Sequence, residues 1–139
     1  MVLILIVSGF LLVCFIFFVV VLVAWKKRKF SEKDLSYINS HWYRILDSFK
    51  HNPKEAVLES DKLLCYCLRK RGGAKFRDSS LGEMLKNGSG FFSDIDSVWF
   101  AHKLRNGIAH EMNFNISPDD AKKALSCYKK ALTDLGVKL

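Results

Sequence analysis

From Val2 to Trp25 every residue is apolar except Ser8 and Gly9, and no charge falls anywhere in the stretch. A run of this kind has few outlets. As a helix rising about 1.5 Å per residue it reaches roughly 36 Å, enough to cross a hydrocarbon core of about 30 Å with some tilt. The expectation is a single transmembrane helix over residues 1–25, a basic juxtamembrane linker over 26–30, and one domain over 31–139. A cleaved secretory signal is the alternative, but no basic flank precedes the run, the run is too long, and no small-x-small site follows it. Trp25 stands where an interfacial aromatic belongs, and Lys26, Lys27, Arg28 and Lys29 come directly after it. By the positive-inside bias, the N-terminus is expected outside and residues 30–139 in the cytoplasm of a cell held at its membrane. The same four cations offer a contact to anionic lipid, although a stop-transfer signal explains them equally.

Of the formal net charge of +8, four units belong to that run, so the rest of the 139-residue chain is only mildly basic. A single small domain fits the remaining length. Cys14 lies in the apolar run, and Cys65, Cys67 and Cys127 lack zinc-type spacing. Two residues apart on a helix, Cys65 and Cys67 point about 200° apart and cannot share a metal, so no metal site and no cofactor is expected.

Punctuation in the domain is that of a helical protein. Pro53 and Pro118 each follow a capping residue, Asn52 and Ser117, as prolines do in the first turn of a helix. Ser31 with Asp34 reads as a capping box opening a helix with apolar residues Leu35, Ile38, Trp42, Ile45, Leu46 and Phe49. A second helix runs from Asn52 until Gly72 and Gly73, carrying Ala56, Val57, Leu63, Leu64, Cys67 and Leu68. Leu81, Met84 and Leu85 make one short turn inside a polar loop. Ser93 with Asp96 opens a third long helix, and Ser117 a fourth whose stripe is Ala121, Ala124, Leu125, Tyr128, Ala131, Leu132 and Leu135. The fold class is therefore all-α: an N-terminal transmembrane helix, then an antiparallel four-helix bundle with a short extra helix.

The unusual segment is Ala101 to Glu111, AHKLRNGIAHE, within a helix that otherwise builds core. His102, Asn106 and His110 recur at four and share a face, which Arg105 flanks. A proton carrier, a bidentate phosphate ligand and an orienting amide suffice for metal-independent RNA cleavage, the attacking group being the RNA's own 2′-hydroxyl. The same side chains also suit a structural role, since cations complement a helix C-terminus and buried Asn and His clamp neighbouring helices. Chemistry alone leaves both readings open.

Arg105 and Asn106, a three-residue spacer and His110, placed late in a helix of a small bundle, resemble the signature of HEPN domains (higher eukaryotes and prokaryotes nucleotide-binding). SLGEML at 80–85, the Trp99 helix and the SPDDA opening of the last helix extend the likeness to small membrane-anchored bacterial proteins over residues 31–136. The resemblance implies a bundle that often dimerises, with Arg and His of both protomers in a shared cleft. In active members these residues cut RNA without metal; in others the domain binds nucleotides or serves as an interaction module. Carried to this chain, Arg105 would hold the phosphate, His110 would act as general acid or base, and Asn106 would support them. His102 joins them by helical geometry alone.

The expected function is a membrane-tethered HEPN-like domain that binds a protein partner or its own copy. The alternative is a metal-independent endoribonuclease using Arg105 and His110. For RNA the nearest basic cluster is Arg69, Lys70, Arg71, Lys75 and Arg77, which reads equally as a solvated helix end.

Overall fold

Each long helix after residue 30 starts where a side-chain oxygen can satisfy amides that have no partner one turn earlier. In a computed structural model describing the backbone of residues 1–25 and 29–139, and the side chains of residues 1, 7–19 and 29–139, these starts fall close to the expected places. The helices are α1 (Val2–Trp25), α2 (Glu32–Phe49), α3 (Pro53–Gly72), α4 (Leu81–Asn87), α5 (Ile95–His110) and α6 (Pro118–Asp134), with 3-10 turns at Gly73–Phe76 and Ser89–Phe91. No strand occurs among the described residues.

Ser31 and Asp34 form the expected capping box, Asn52 caps α3 through the Glu55 amide, and Ser117 caps α6 through that of Asp120. The short turn at Leu81 proves to be a two-turn helix with its own capping box, Ser80 with Glu83. One cap moves. Asp94, not Ser93, caps α5, while the Ser93 amide and hydroxyl both donate to Asp134, the last residue of α6. A serine one residue ahead of an aspartate was the wrong choice because the two compete for the same role, and only the tertiary partner decides. Helix α3 ends as expected, with Gly73 at φ 57°, a left-handed conformation that costs a side-chain-bearing residue free energy.

Helix α3 is central, packing on α2, α5 and α6, while α5 also packs on α6 and carries α4. Numbering runs in opposite directions along α2 and α3, since Asp34 meets Tyr66 and Lys70 while His41 meets Glu59. The same holds for α5 and α6, where Asp94 meets Lys130 and Phe100 meets Lys123. Both pairs are antiparallel. Burial follows the stripes on α3 and α6, but on α2 only Ile38, Trp42 and Ile45 are buried, and Leu46 is exposed. With α3 as its main neighbour, α2 needs only a narrow seam spaced at four and three, and Leu46 falls about 100° past it. Cys67 is enclosed in this core, and burial pushes its thiol up to about 12, so it packs as an apolar group.

The apolar N-terminus requires a correction. Among the described residues no helix is long and apolar enough to cross a membrane. The transmembrane helix expected over residues 1–25 is overturned on this finding. The single-pass topology, the outside N-terminus and the placement of residues 30–139 on the cytoplasmic side of a cell membrane rested on that span and go with it. Lys26, Lys27 and Arg28, the greater part of the basic run, lie outside the described residues; Lys29 is exposed.

The seam between α2 and α3 yields a pH prediction. Asp34 accepts from the Ser31 hydroxyl and from Tyr66, and pairs with Lys70 at 3.0 Å. The Ser31 hydrogen bond above all, then Lys70 and Tyr66, hold its carboxyl well below the ordinary value of 3.8. Because the folded-state value is depressed, the stabilisation is complete above 3.8 and drains away as the pH falls below it towards the folded value. Asp34→Asn should therefore melt below the parent at about pH 6, and the gap should narrow steadily as the pH falls below about 4. A gap that stays constant to low pH would show that this carboxylate does not couple the helices.

Candidate functional site

A charged residue interrupts the core stripe of α3. Val57, Asp61, Leu64 and Leu68 recur at four, three and four, so Asp61 points inward with its apolar neighbours, and it is only 4% exposed. Burying a carboxylate without partners costs several kcal/mol, so neighbouring helices must supply donors. They do. His102 Nδ1 on α5 lies 2.8 Å from Asp61 Oδ1, and the Tyr128 hydroxyl on α6 donates to the same oxygen at 2.9 Å. Burial first, then the Asp61 charge, push the Tyr128 phenol well above its usual range, which keeps it a donor. Arg105 Nε stands 3.2 Å from Asp61 Oδ2, too far off line for a hydrogen bond, so this contact is an ion pair.

Two further bonds close a ring. Arg105 Nη1 donates to Asn106 Oδ1 at 3.0 Å, and Asn106 Nδ2 lies 3.3 Å from His102 Nε2. Arginine has no acceptor, so Asn106 must turn its oxygen to Arg105 and its NH₂ to His102. His102 Nε2 is then an acceptor, and Nδ1 carries the proton given to Asp61. The network thus places the His102 proton shared with Asp61 on Nδ1 and turns Nε2 to the Asn106 amide.

Above the ring lies a cavity of about 540 Å³ between α3, α4 and α5. Its cationic side is Lys62, Arg69 and Arg105, and its less polar side includes Cys65, Tyr66 and Leu81. Asp61 is the one carboxylate in its lining. Lys62 is neutralised in part by Glu59, and Arg69 donates to the Ser79 carbonyl, which ties α3 to the start of α4.

The structure thus brings Arg105, Asn106 and His102 together, the last of these at the centre. His110 is set apart: it is exposed at the last residue of α5 and does not line the cavity. Five residues after Arg105, it points about 140° further round the helix. The basic cluster also disperses. Lys70 pairs with Asp34 and lies over Tyr66, Arg71 lies over the Phe30 ring, and Lys75 donates to the Asn87 carbonyl. Arg77 is exposed, and of the five only Arg69 reaches the cavity. No group of acidic, histidine or cysteine side chains fit for a metal ion occurs among the described residues.

Sequence reasoning passed over Asp61, although its signal was present as a charge on an apolar stripe. Tyr128 was read as plain core, and nothing in its own helix distinguishes it from the leucines beside it. No family model, no curated protein and no solved structure matches this chain.

Proposed function

We propose that residues 31–139 form a HEPN-like helical binding module whose cavity takes a phosphate-bearing ligand on Arg105, and that the module binds this ligand without turning it over. The observation carrying the reading is the setting of Arg105. Two of its nitrogens are engaged, Nε by Asp61 and Nη1 by Asn106, while the guanidinium still lines the cavity with its remaining edge. A guanidinium held on one side and open on the other is prepared for an anion at little further cost in side-chain entropy. Lys62 and Arg69 add positive charge to the same space. Resemblance to the Arg-Asn, spacer, His signature supports the choice of phosphate.

Turnover lacks its proton carriers. His102 has both ring nitrogens occupied within the ring, and His110 stands outside the cavity. General acid–base work needs a group within about 3 Å of the proton it moves.

The test uses the full chain, inorganic phosphate and a short single-stranded RNA, all in EDTA. Phosphate should shift NMR signals of residues around the cavity, and Arg105→Gln should weaken binding by about 10- to 100-fold, the worth of a charge-assisted contact. His110→Ala should alter neither binding nor melting temperature. RNA cleavage lost in His110→Ala would establish the ribonuclease instead, with Arg105 and His110 of two copies meeting across a shared cleft. Absence of any phosphate- or RNA-induced shift would remove the anion site.

A further inference from the structure

Helix α4 carries a glycine that its backbone does not require. Gly82 lies within the first turn of α4 at an ordinary helical φ, where alanine is favoured over glycine. Nor is there a steric demand for it: a Cβ at this position would meet His102 Nε2 and Trp99 Cη2 at 3.8 Å each, ordinary van der Waals contact. Conformation and close packing both fail to explain the residue. What it does supply is room, since Gly82 lines the cavity, and any side chain longer than alanine would pass His102 and Trp99 into that space.

The cavity is also larger than its charged end needs. At about 540 Å³ it falls among pockets that enclose whole organic ligands, roughly 300–1,000 Å³, whereas a phosphate ion has five heavy atoms. Cys65, Tyr66 and Leu81 give the remaining space a less polar wall. We infer that Gly82 is a specificity-determining residue that leaves a subsite beside His102 for the organic part of a phosphate monoester, whose phosphate lies on Arg105. The inference takes its ligand from the proposed function and its geometry from the cavity alone.

Phenyl phosphate and inorganic phosphate separate the two ends of the site. The full chain should bind phenyl phosphate at least about tenfold more tightly than inorganic phosphate. In Gly82→Leu that preference should fall to near unity, with inorganic phosphate affinity held within about threefold. Gly82→Ala should keep the preference and melt no lower than the parent. Gly82→Met, whose flexible chain can enter the cavity without straining α4, carries the same comparison if the leucine variant does not fold. A ligand-free measurement runs alongside: modification of Cys65 by a small methanethiosulfonate reagent, followed on its peptide by mass spectrometry, should slow at least about tenfold in Gly82→Leu. If the parent binds neither phosphate, the functional reading fails, and the Cys65 rate alone decides whether Gly82 holds the space open. An unchanged preference, or an unchanged Cys65 rate, in a folded leucine or methionine variant overturns the inference.

Discussion

Asp61→Ala is expected to lower the unfolding free energy by about 3 to 5 kcal/mol, the usual cost of removing one partner from a buried ion pair. The carboxylate takes hydrogen bonds from His102 and Tyr128 and pairs with the charge of Arg105, and its loss leaves two donors without their acceptor and a guanidinium without its counter-charge. A domain of this size is stable by only about 5 to 15 kcal/mol, so this loss is a large share of the total. Asp61→Asn retains one acceptor oxygen and should lose less. Urea denaturation of the Asp61→Ala and Arg105→Ala single variants and of the double variant gives the coupling directly. The double variant should fall short of the summed single losses by about 1 kcal/mol or more. A loss under about 1 kcal/mol in Asp61→Ala would mean that the ring contributes little to holding the helices.

Trp42→Ala should cost a similar amount, about 3 to 5 kcal/mol, through a different mechanism. Trp42 is 3% exposed at the middle of the seam by which α2 joins the bundle. Removing the indole opens a cavity between α2 and α3 that backbone shifts can only partly close. Leu46→Ala, one turn further along the same helix, is the control. Its exposed side chain should change stability by no more than about 0.5 kcal/mol. Comparable losses in the two variants, read by chemical denaturation, would mean that the rotation of α2 has been misassigned. Trp99, half-buried and in edge-to-face contact with His102, should fall between them.

The helices were legible because local chemistry sets them. Ser31, Asn52 and Ser117 cap where their side chains allow, and the stripes of α3 and α6 repeat every three or four residues regardless of what they pack against. The site was legible only along α5, where His102, Arg105 and Asn106 share a face of one helix. Asp61 and Tyr128 come from two other helices, α3 and α6, and their pairing depends on how three helices are rotated against one another. His110 stands apart from these residues for a related reason. Spacing at four put it on the face of His102 and Asn106, but that face runs out of neighbours at the last turn, and the residue ends in solvent.

Leucines and alanines are poor at fixing the angle of a helix about its own axis, because one apolar contact can be exchanged for another at small cost. Asp61 acts differently: its partners on α5 and α6 lie in one direction only, so turning α3 by a single residue would leave the carboxylate facing side chains that cannot donate. It serves as an index mark for three helices. Lys62 follows it in sequence and Arg69 comes about two turns later, while Arg105 is held by the same carboxylate from the opposite helix. The side chain that sets the rotation of α3 therefore also decides which cations look into a common space. A sequence that replaced the ring with well-packed leucine could keep the bundle and its stability, yet leave those charges facing in unrelated directions.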